Sequence, residues 1–109
     1  MLELVLLAKK YNLYIISDEA YERFSYDGLR PSNISSLSED AFQRTITVQS
    51  FSKTYFMTGF RIGYLIGPLK LAQAVQKFQG HVTGNNCTFA QYGALAALEM
   101  DHQILDESL

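Results

Sequence analysis

Residues Thr45 to Pro68 read TITVQSFSKTYFMTGFRIGYLIGP, two apolar runs separated by a polar turn that contains a lysine. The first run, Thr45 to Val48, is rich in β-branched residues and predicts a strand. The second run, Arg61 to Ile66, predicts another strand, which a Gly-Pro pair ends. Because open α/β sheets bind ligands just beyond the carboxyl ends of their strands, Lys53 is well placed for chemistry.

The segments on either side of this region predict helices and one further strand. Apolar residues at helical spacing indicate a first helix that ends at Lys9-Lys10, with Asn12 as its stop. The apolar run Leu13 to Ile16 predicts a strand that is covered on both faces. Capping-box patterns that start at Ser36 and Thr88 predict two helices, and a third is expected over about residues 69–79. This order of elements predicts an α/β fold.

Composition and charge exclude several classes of function. The chain has 109 residues and a net charge of -2, without a basic face for nucleic acid or a polybasic patch for a membrane. The single cysteine, Cys87, cannot form an internal disulfide, which favours a reducing, cytoplasmic location. His81 and His102 have no partners at metal-ligand spacing, so no metal site is predicted.

Both ends of the chain indicate that it is a segment of a larger domain. The first helix begins at Met1 without a capping residue, and the last shows no stop signal before Leu109. With about three strands in the chain, we expect the outer strands not to be the true edges of the sheet.

Four side chains carry groups that could act on a ligand, although each also has an ordinary structural interpretation. Lys53, among Ser50, Ser52 and other hydroxyls, is either a surface lysine or an amine that forms a Schiff base with a carbonyl. Asp18 is either a helix cap or a carboxylate at a strand end that needs a cationic partner. The other two are Tyr21, which otherwise packs in the core, and Arg61, which otherwise pairs with a carboxylate.

Together these groups suit one cofactor. Pyridoxal 5'-phosphate (PLP) has a carbonyl for an amine, a phosphate for a guanidinium and hydroxyls, and a ring nitrogen whose protonated form pairs with a carboxylate.

Two motifs in the sequence resemble those of a known protein family. Ser17-Asp-Glu-Ala-Tyr21 contains an Asp-x-x-Tyr spacing, and the segment from Ser50 to Tyr64 contains Ser-x-x-Lys-x7-Arg. Both resemble the class I/II aminotransferases of fold type I, the aspartate aminotransferase superfamily, as does the tail from Thr83 to Ala97. The resemblance implies that residues 1–109 are part of the mainly parallel-sheet, PLP-binding large domain. It also implies that an N-terminal cofactor-binding part and a C-terminal small domain lie outside this sequence.

The resemblance also implies a role for each candidate residue. Lys53 would form the Schiff base with PLP and move a proton during transamination between an L-amino acid and a 2-oxo acid. Asp18 would keep the ring nitrogen protonated, and Tyr21 would donate to the phenolate oxygen of the cofactor. The residues implied to bind the phosphate are Ser50, Ser52 and Arg61.

Other interpretations stay open from the sequence alone. The same scaffold could serve a PLP-dependent β-lyase or synthase, or a transcription regulator whose domain senses PLP without catalysis. A truncated product without activity is a further alternative because the ends expected from the resemblance are missing, among them the arginine that binds the substrate carboxylate in the family. Homodimerisation is implied by the resemblance only. We expect residues 1–109 to be inactive on their own, and Phe51, Tyr55 and Phe56 to be core rather than substrate contacts.

Overall fold

A computed structural model describes residues 1–29 and 31–100, which form an α/β structure with a small sheet and flanking helices. The part of the last helix predicted beyond residue 100, and His102, lie outside the described residues. The helices are α1 (Leu2–Lys10), α2 (Glu39–Arg44), α3 (Phe51–Thr54), α4 (Leu69–Val82) and α5 (Thr88–Leu98), with 3-10 turns at Ile34–Ser36 and Thr58–Phe60. The strands are β1 (Ile15–Asp18), β2 (Thr45–Ser50) and β3 (Gly63–Ile66).

The sheet has the order β1-β2-β3, with β2 in the centre. β1 runs parallel to β2, and β3 runs antiparallel to it. The register pairs Asp18 with Val48 and Ser50 with Gly63. The carboxyl ends of β1 and β2 therefore meet the amino end of β3 at one edge of the sheet. The predicted α/β fold with about three strands is confirmed.

The first helix ends where the sequence predicted. Asn12 adopts a left-handed conformation with φ of 51°, and the backbone N–H groups of Asn12 and Leu13 donate to the carbonyls of Lys9 and Ala8. This is a Schellman motif, in which the backbone reverses direction and the last carbonyls of the helix are satisfied.

The strand expected at Leu13 to Ile16 begins two residues later, at Ile15, because Leu13 is used in the helix cap. Its expected burial on both faces is wrong for the described residues: the side chain of Ile16 is 75% exposed. Asp18 is consequently the last residue of the strand rather than a residue after it.

Both predicted capping boxes are wrong in detail. Ser38, not Ser36, caps α2, and its hydroxyl accepts from the N–H of Ala41 at 3.1 Å. Thr88 is the first residue of α5 rather than its cap, and the side chain of Gln91 donates to the carbonyl of Asn86. In each case the predicted capping residue lies within two residues of the observed N-cap, which is Ser38 for α2 and Cys87 for α5.

Buried apolar side chains form two separate clusters. One joins α3 and its following loop to α5, through residues such as Phe51, Met57 and Ala90. The other joins Val5 of α1, Ile34 and Ala41. In the described part of the chain, no helix combines the length and the apolar character needed to cross a membrane.

Candidate active site

The polar residues singled out from the sequence gather at the edge where β1 and β2 end and β3 begins. Asp18 ends β1, Ser50 ends β2, and Arg61 lies two residues before β3. The backbone holds β1 and β2 together beyond their paired residues, because the N–H of Glu19 donates to the carbonyl of Val48 at 2.9 Å. The sheet topology therefore converts three distant sequence positions into one site.

The lysine lies in α3, the short helix that follows β2 directly. Ser50 is the N-cap of this helix, and its hydroxyl accepts from the N–H of Ser52 at 3.1 Å. The side chain of Phe51 anchors the turn in the core at 3% exposure. Lys53 is half-buried, and its Nζ lies 5.5 Å from the centre of the Tyr21 ring. Two residues separated by 32 positions, one from the Asp-x-x-Tyr motif and one from the Ser-x-x-Lys motif, thus come together.

Asp18 ends β1, and Tyr21 lies on the turn that follows. The Oδ1 atom of Asp18 accepts from the N–H of Ala20 at 3.1 Å, which is the local bond of a turn-capping carboxylate. Tyr21 is exposed, and its ring makes an edge contact with Phe24 at 5.8 Å between centroids. The expectation that Tyr21 faces a ligand site, rather than the core, is compatible with this exposure.

Arg61 is at the same edge, but its side chain is bonded to the loop that precedes β3. It has a left-handed conformation with φ of 51°, and its Nη1 donates to the carbonyl of Thr58 at 2.9 Å. Its guanidinium is exposed, and the bond to Thr58 uses one of five N–H donors. The structure therefore brings Lys53 to Tyr21 directly, whereas it brings Arg61 only to the shared edge.

Phe56 differs from the sequence-based expectation. Phe51 is buried and Tyr55 packs against the same cluster, but Phe56 is 62% exposed. It takes a left-handed conformation with φ of 54°, and the following N–H, of Met57, returns to the carbonyl of Phe51. The need to end α3 within four residues turns this side chain away from the core.

A network of polar side chains that the sequence analysis did not single out supports the turn after β1. The carboxylate of Glu19 accepts from the Ser17 hydroxyl at 2.9 Å and from Nδ2 of Asn33 at 2.9 Å. Nε2 of Gln49 donates to Oε2 of Glu22 at 2.7 Å, with Oε2 of Glu19 at 3.4 Å. One signal could have found it: strand alternation places Gln49 on the same face as Thr45 and Thr47, and a buried amide requires partners.

Tyr64 lies in the cluster beneath the lysine turn. Its ring centre is 5.3 Å from that of Phe51. Burial raises the pKa of the Tyr64 hydroxyl above its usual value, and the negative charge of Glu22 adds to the effect. Tyr64 therefore stays neutral beside the polar network.

The groups at this edge fit PLP by their chemistry. An amine, a carboxylate, a phenol, a hydroxyl at a strand end and a guanidinium match the carbonyl, ring nitrogen, phenolate and phosphate of the cofactor. Two open clefts meet these groups. One, of about 1140 Å³, is lined in part by Asp18 and Tyr21, and the other, of about 610 Å³, by Arg61 and residues of α4. The described residues include no cluster of three or more potential metal ligands.

The chain is similar in sequence and in structure to known aminotransferases. The aspartate aminotransferase of Thermotoga maritima is 48% identical over 102 residues, which are 94% of this chain and 26% of that protein. The aromatic-amino-acid aminotransferase 2 of Thermococcus litoralis is 41% identical and is covered to 27% of its length. The crystal structure of an aromatic aminotransferase from Pyrococcus horikoshii OT3 matches 97% of this chain and 29% of that one, with 39% identity and a TM-score of 0.88.

These relatives are much longer than the sequence in hand, which spans little more than a quarter of each. A family model described as aminotransferase class I and II matches residues 1–108, nearly the whole sequence. With the sheet, the lysine turn and the Asp-x-x-Tyr turn in the expected order, the chain belongs to the class I and II aminotransferase family.

Proposed function

We propose that this chain carries the lysine half of the PLP site of an aminotransferase, which transfers an amino group between an L-amino acid and a 2-oxo acid. The observation that carries the proposal is the approach of Lys53 to Tyr21, at 5.5 Å, on the sheet edge that also holds Asp18 and Ser50. The relatives named as aspartate and aromatic aminotransferases support this reaction class.

Bound PLP supplies a carbonyl that an amine can attack and a ring that withdraws electrons. Lys53 would provide that amine, and its Nζ would then take the proton from the α-carbon of the amino acid and deliver it to the carbonyl carbon of the cofactor. Asp18 would hold a proton on the ring nitrogen through its carboxylate, and Tyr21 would donate its O–H to the ring oxygen. The turn after β1 and the turn after β2 thereby bring the acid, the donor and the base to a single ring.

The phosphate would lie near the start of α3 and the loop before β3. Ser50 keeps its O–H as a donor, since the bond from Ser52 uses its oxygen as acceptor. Arg61 is exposed and offers a planar group that binds phosphate through two parallel bonds. Ser52 is half-buried two residues after Ser50 and would add a third contact. Anchoring of the phosphate would fix the reactive carbon with respect to Lys53.

We further propose that residues 1–109 are part of a PLP-binding large domain of a cytoplasmic homodimer. The length of the relatives supports a larger enzyme, because the chain spans only 26% of the Thermotoga protein. Its partners would be two small-molecule substrates, an amino acid and a 2-oxo acid, and neither nucleic acid nor a membrane would be a partner.

The test is borohydride reduction of the protein isolated from its source, followed by intact mass and a peptide map. Reduction converts a Schiff base to a stable amine, so a pyridoxyl group on Lys53 is expected. The same preparation is assayed for amino-group transfer. Release of ammonia from the substrate, instead of transfer to a 2-oxo acid, would favour a lyase and contradict the proposed reaction.

Substitution of the lysine provides a second test. Lys53→Ala should remove transamination and leave some PLP binding, because the phosphate and ring contacts remain. Lys53→Arg should be equally inactive, since a guanidinium keeps its proton and cannot attack the carbonyl. Lys70→Ala, on exposed α4, is the matched control. Turnover by Lys53→Ala within about tenfold of wild type would exclude the role of this lysine.

A further inference from the structure

The turn that carries Asp18 and Tyr21 is held by side chains that would not themselves touch PLP. Within this turn the backbone makes two bonds, from the N–H of Glu22 to the carbonyl of Glu19 at 3.1 Å and from the N–H of Phe24 to the carbonyl of Tyr21 at 3.0 Å. Tyr21 and Asp18 are both exposed, so packing does little to fix them. Their position must depend on the residues between them and on what those residues contact.

Glu19 forms hydrogen bonds to three parts of the protein. Its backbone N–H is bonded to β2 through Val48, and its Oε1 accepts from Ser17 on β1. Its Oε2 accepts from Nδ2 of Asn33 at 2.9 Å. The residue is half-buried, and the two oxygens of its carboxylate accept from residues on two different parts of the chain.

The two amide side chains that donate to Oε2 of Glu19, those of Asn33 and Gln49, are held in place by further contacts. Oδ1 of Asn33 accepts from the N–H and the hydroxyl of Ser35 at 2.8 and 2.6 Å, so the amide nitrogen of Asn33 has to face Glu19. Gln49 is 7% exposed on the central strand and donates to Oε2 of Glu22 at 2.7 Å. The turn is thus tied to β2 at one end and to the 3-10 turn Ile34–Ser36 at the other.

We infer that Glu19 is a positioning residue of the cofactor site, which with Asn33 and Gln49 fixes the turn that places Asp18 and Tyr21 beside Lys53. This inference depends on the proposed function, because it assigns the turn to PLP. The carboxylate acts through hydrogen bonds to protein groups and not through contact with the cofactor.

Two substitutions of Glu19 separate hydrogen bonding from charge. Glu19→Leu removes both acceptors and leaves the donors of Ser17 and Asn33 without a partner. Glu19→Gln removes the charge but keeps an acceptor for Asn33, and the Ser17 hydroxyl can rotate to accept from the new amide. Glu3→Leu makes the same change on the exposed face of α1 and serves as the matched control.

The readouts are the dissociation constant of PLP, from titration of the apoprotein, and the pH midpoint of the visible absorption of the bound cofactor. Glu19→Leu should weaken PLP binding by about tenfold or more, in line with loss of hydrogen bonds to a charged group. It should also raise the pH midpoint, because a displaced Tyr21 no longer stabilises the deprotonated chromophore. Glu19→Gln should stay within about threefold of wild type, and Glu3→Leu should change neither value.

Each outcome decides the inference. Wild-type affinity and midpoint in a folded Glu19→Leu protein would overturn the positioning role alone. Equal loss in Glu19→Leu and Glu19→Gln would also overturn it, because charge would then be the cause. If Glu19→Leu fails to fold, Gln49→Met removes the donor from β2 and should weaken PLP binding in the same direction; no effect would overturn the role. A wild-type protein without a PLP chromophore would overturn the proposed function and this inference together.

Discussion

At the scale of single residues, the buried face of β2 holds two threonines that differ in the hydrogen bonding of their hydroxyl groups. Thr45 is 0% exposed, and its Oγ1 donates to the carbonyl of Ala41 at 2.7 Å. Thr47 is 1% exposed, and its Oγ1 has no hydrogen-bond partner among the described residues. The two residues share a strand, a face and a side-chain volume, so they differ mainly in this bond.

Substitution by valine should therefore have opposite effects at the two positions. Thr47→Val removes a buried hydroxyl without a partner and should stabilise the protein by about 1 kcal/mol. Thr45→Val removes the donor to Ala41 and should destabilise it by about 1–2 kcal/mol. Denaturant unfolding of the purified variants measures both. Equal effects of the two substitutions would show that Thr47 has a partner, such as a buried water.

Tyr64 gives the protein a specific response to alkaline pH. Burial, with a contribution from Glu22, raises the folded-state pKa of its hydroxyl above 10.0, the usual value. Below pH 10 the hydroxyl is neutral in both the folded and the unfolded state, so its contribution to the free energy of unfolding is constant. As pH rises from about 10 through the folded pKa, the unfolded state loses its proton first and stability falls.

Tyr64→Phe should therefore make the alkaline loss of stability shallower. The free energy of unfolding at neutral pH should change little, because the hydroxyl is neutral there in both the folded and the unfolded state. Thermal unfolding of wild type and variant between pH 8 and 11 gives the comparison. Parallel curves over the whole range would contradict the burial of this ionising group.

At the scale of elements, the β2–β3 pair depends on the absence of a side chain at Gly63. A Cβ placed there would lie 2.6 Å from the carbonyl oxygen of Gln49, closer than real contacts allow. The backbones approach this closely directly opposite Ser50, the residue that starts the lysine helix. Any separation of the strands would thus move the cap of α3.

Gly63→Ala should destabilise the protein by about 1–3 kcal/mol, the usual cost of forcing extra atoms into a packed region. It should also weaken PLP binding through the displaced Ser50. Gly59→Ala is the matched control, because a Cβ there meets nothing within 4 Å. Unfolding curves and PLP titration of both variants test this, and equal behaviour of the two would contradict the close approach of the strands.

At the scale of the whole molecule, the described residues form a plate rather than a ball. The principal extents are 42, 41 and 18 Å, and the two apolar clusters are small. α4 has no buried residue, although Phe78 and Val82 are apolar. Apolar surface of this extent is commonly covered by other protein, which agrees with relatives that are several times longer.

Residues 1–109 produced alone should therefore bind a hydrophobic dye and exchange the amide hydrogens of α4 rapidly. The same amides should exchange slowly in a full-length aminotransferase that contains this chain, because its remaining parts would cover the apolar faces. Hydrogen exchange with mass spectrometry compares the two preparations. Strong protection of α4 in the isolated segment would show that the two small clusters suffice for a stable fold.

The sequence by itself determined the α/β class, the order of the three strands and the motifs of the candidate site, whereas the short helix α3 was predicted only as a polar turn. These features depend on local properties: apolar periodicity, β-branched runs, the αL preference of Asn12 and residue types at short spacings. Helix starts were less predictable, because Ser36 and Ser38 both suit a cap and only the path of the backbone selects one.

Only the tertiary structure decided which distant residues meet. Parallel pairing of β1 with β2 brings Tyr21 to Lys53, and the antiparallel return of β3 brings Arg61 to the same edge. The hydrogen bonds that Glu19 and Glu22 accept from Asn33 and Gln49 span 14 and 27 positions, beyond the reach of local patterns. Strand pairing sets these distances, and it depends on the burial and hydrogen bonding of the whole sheet.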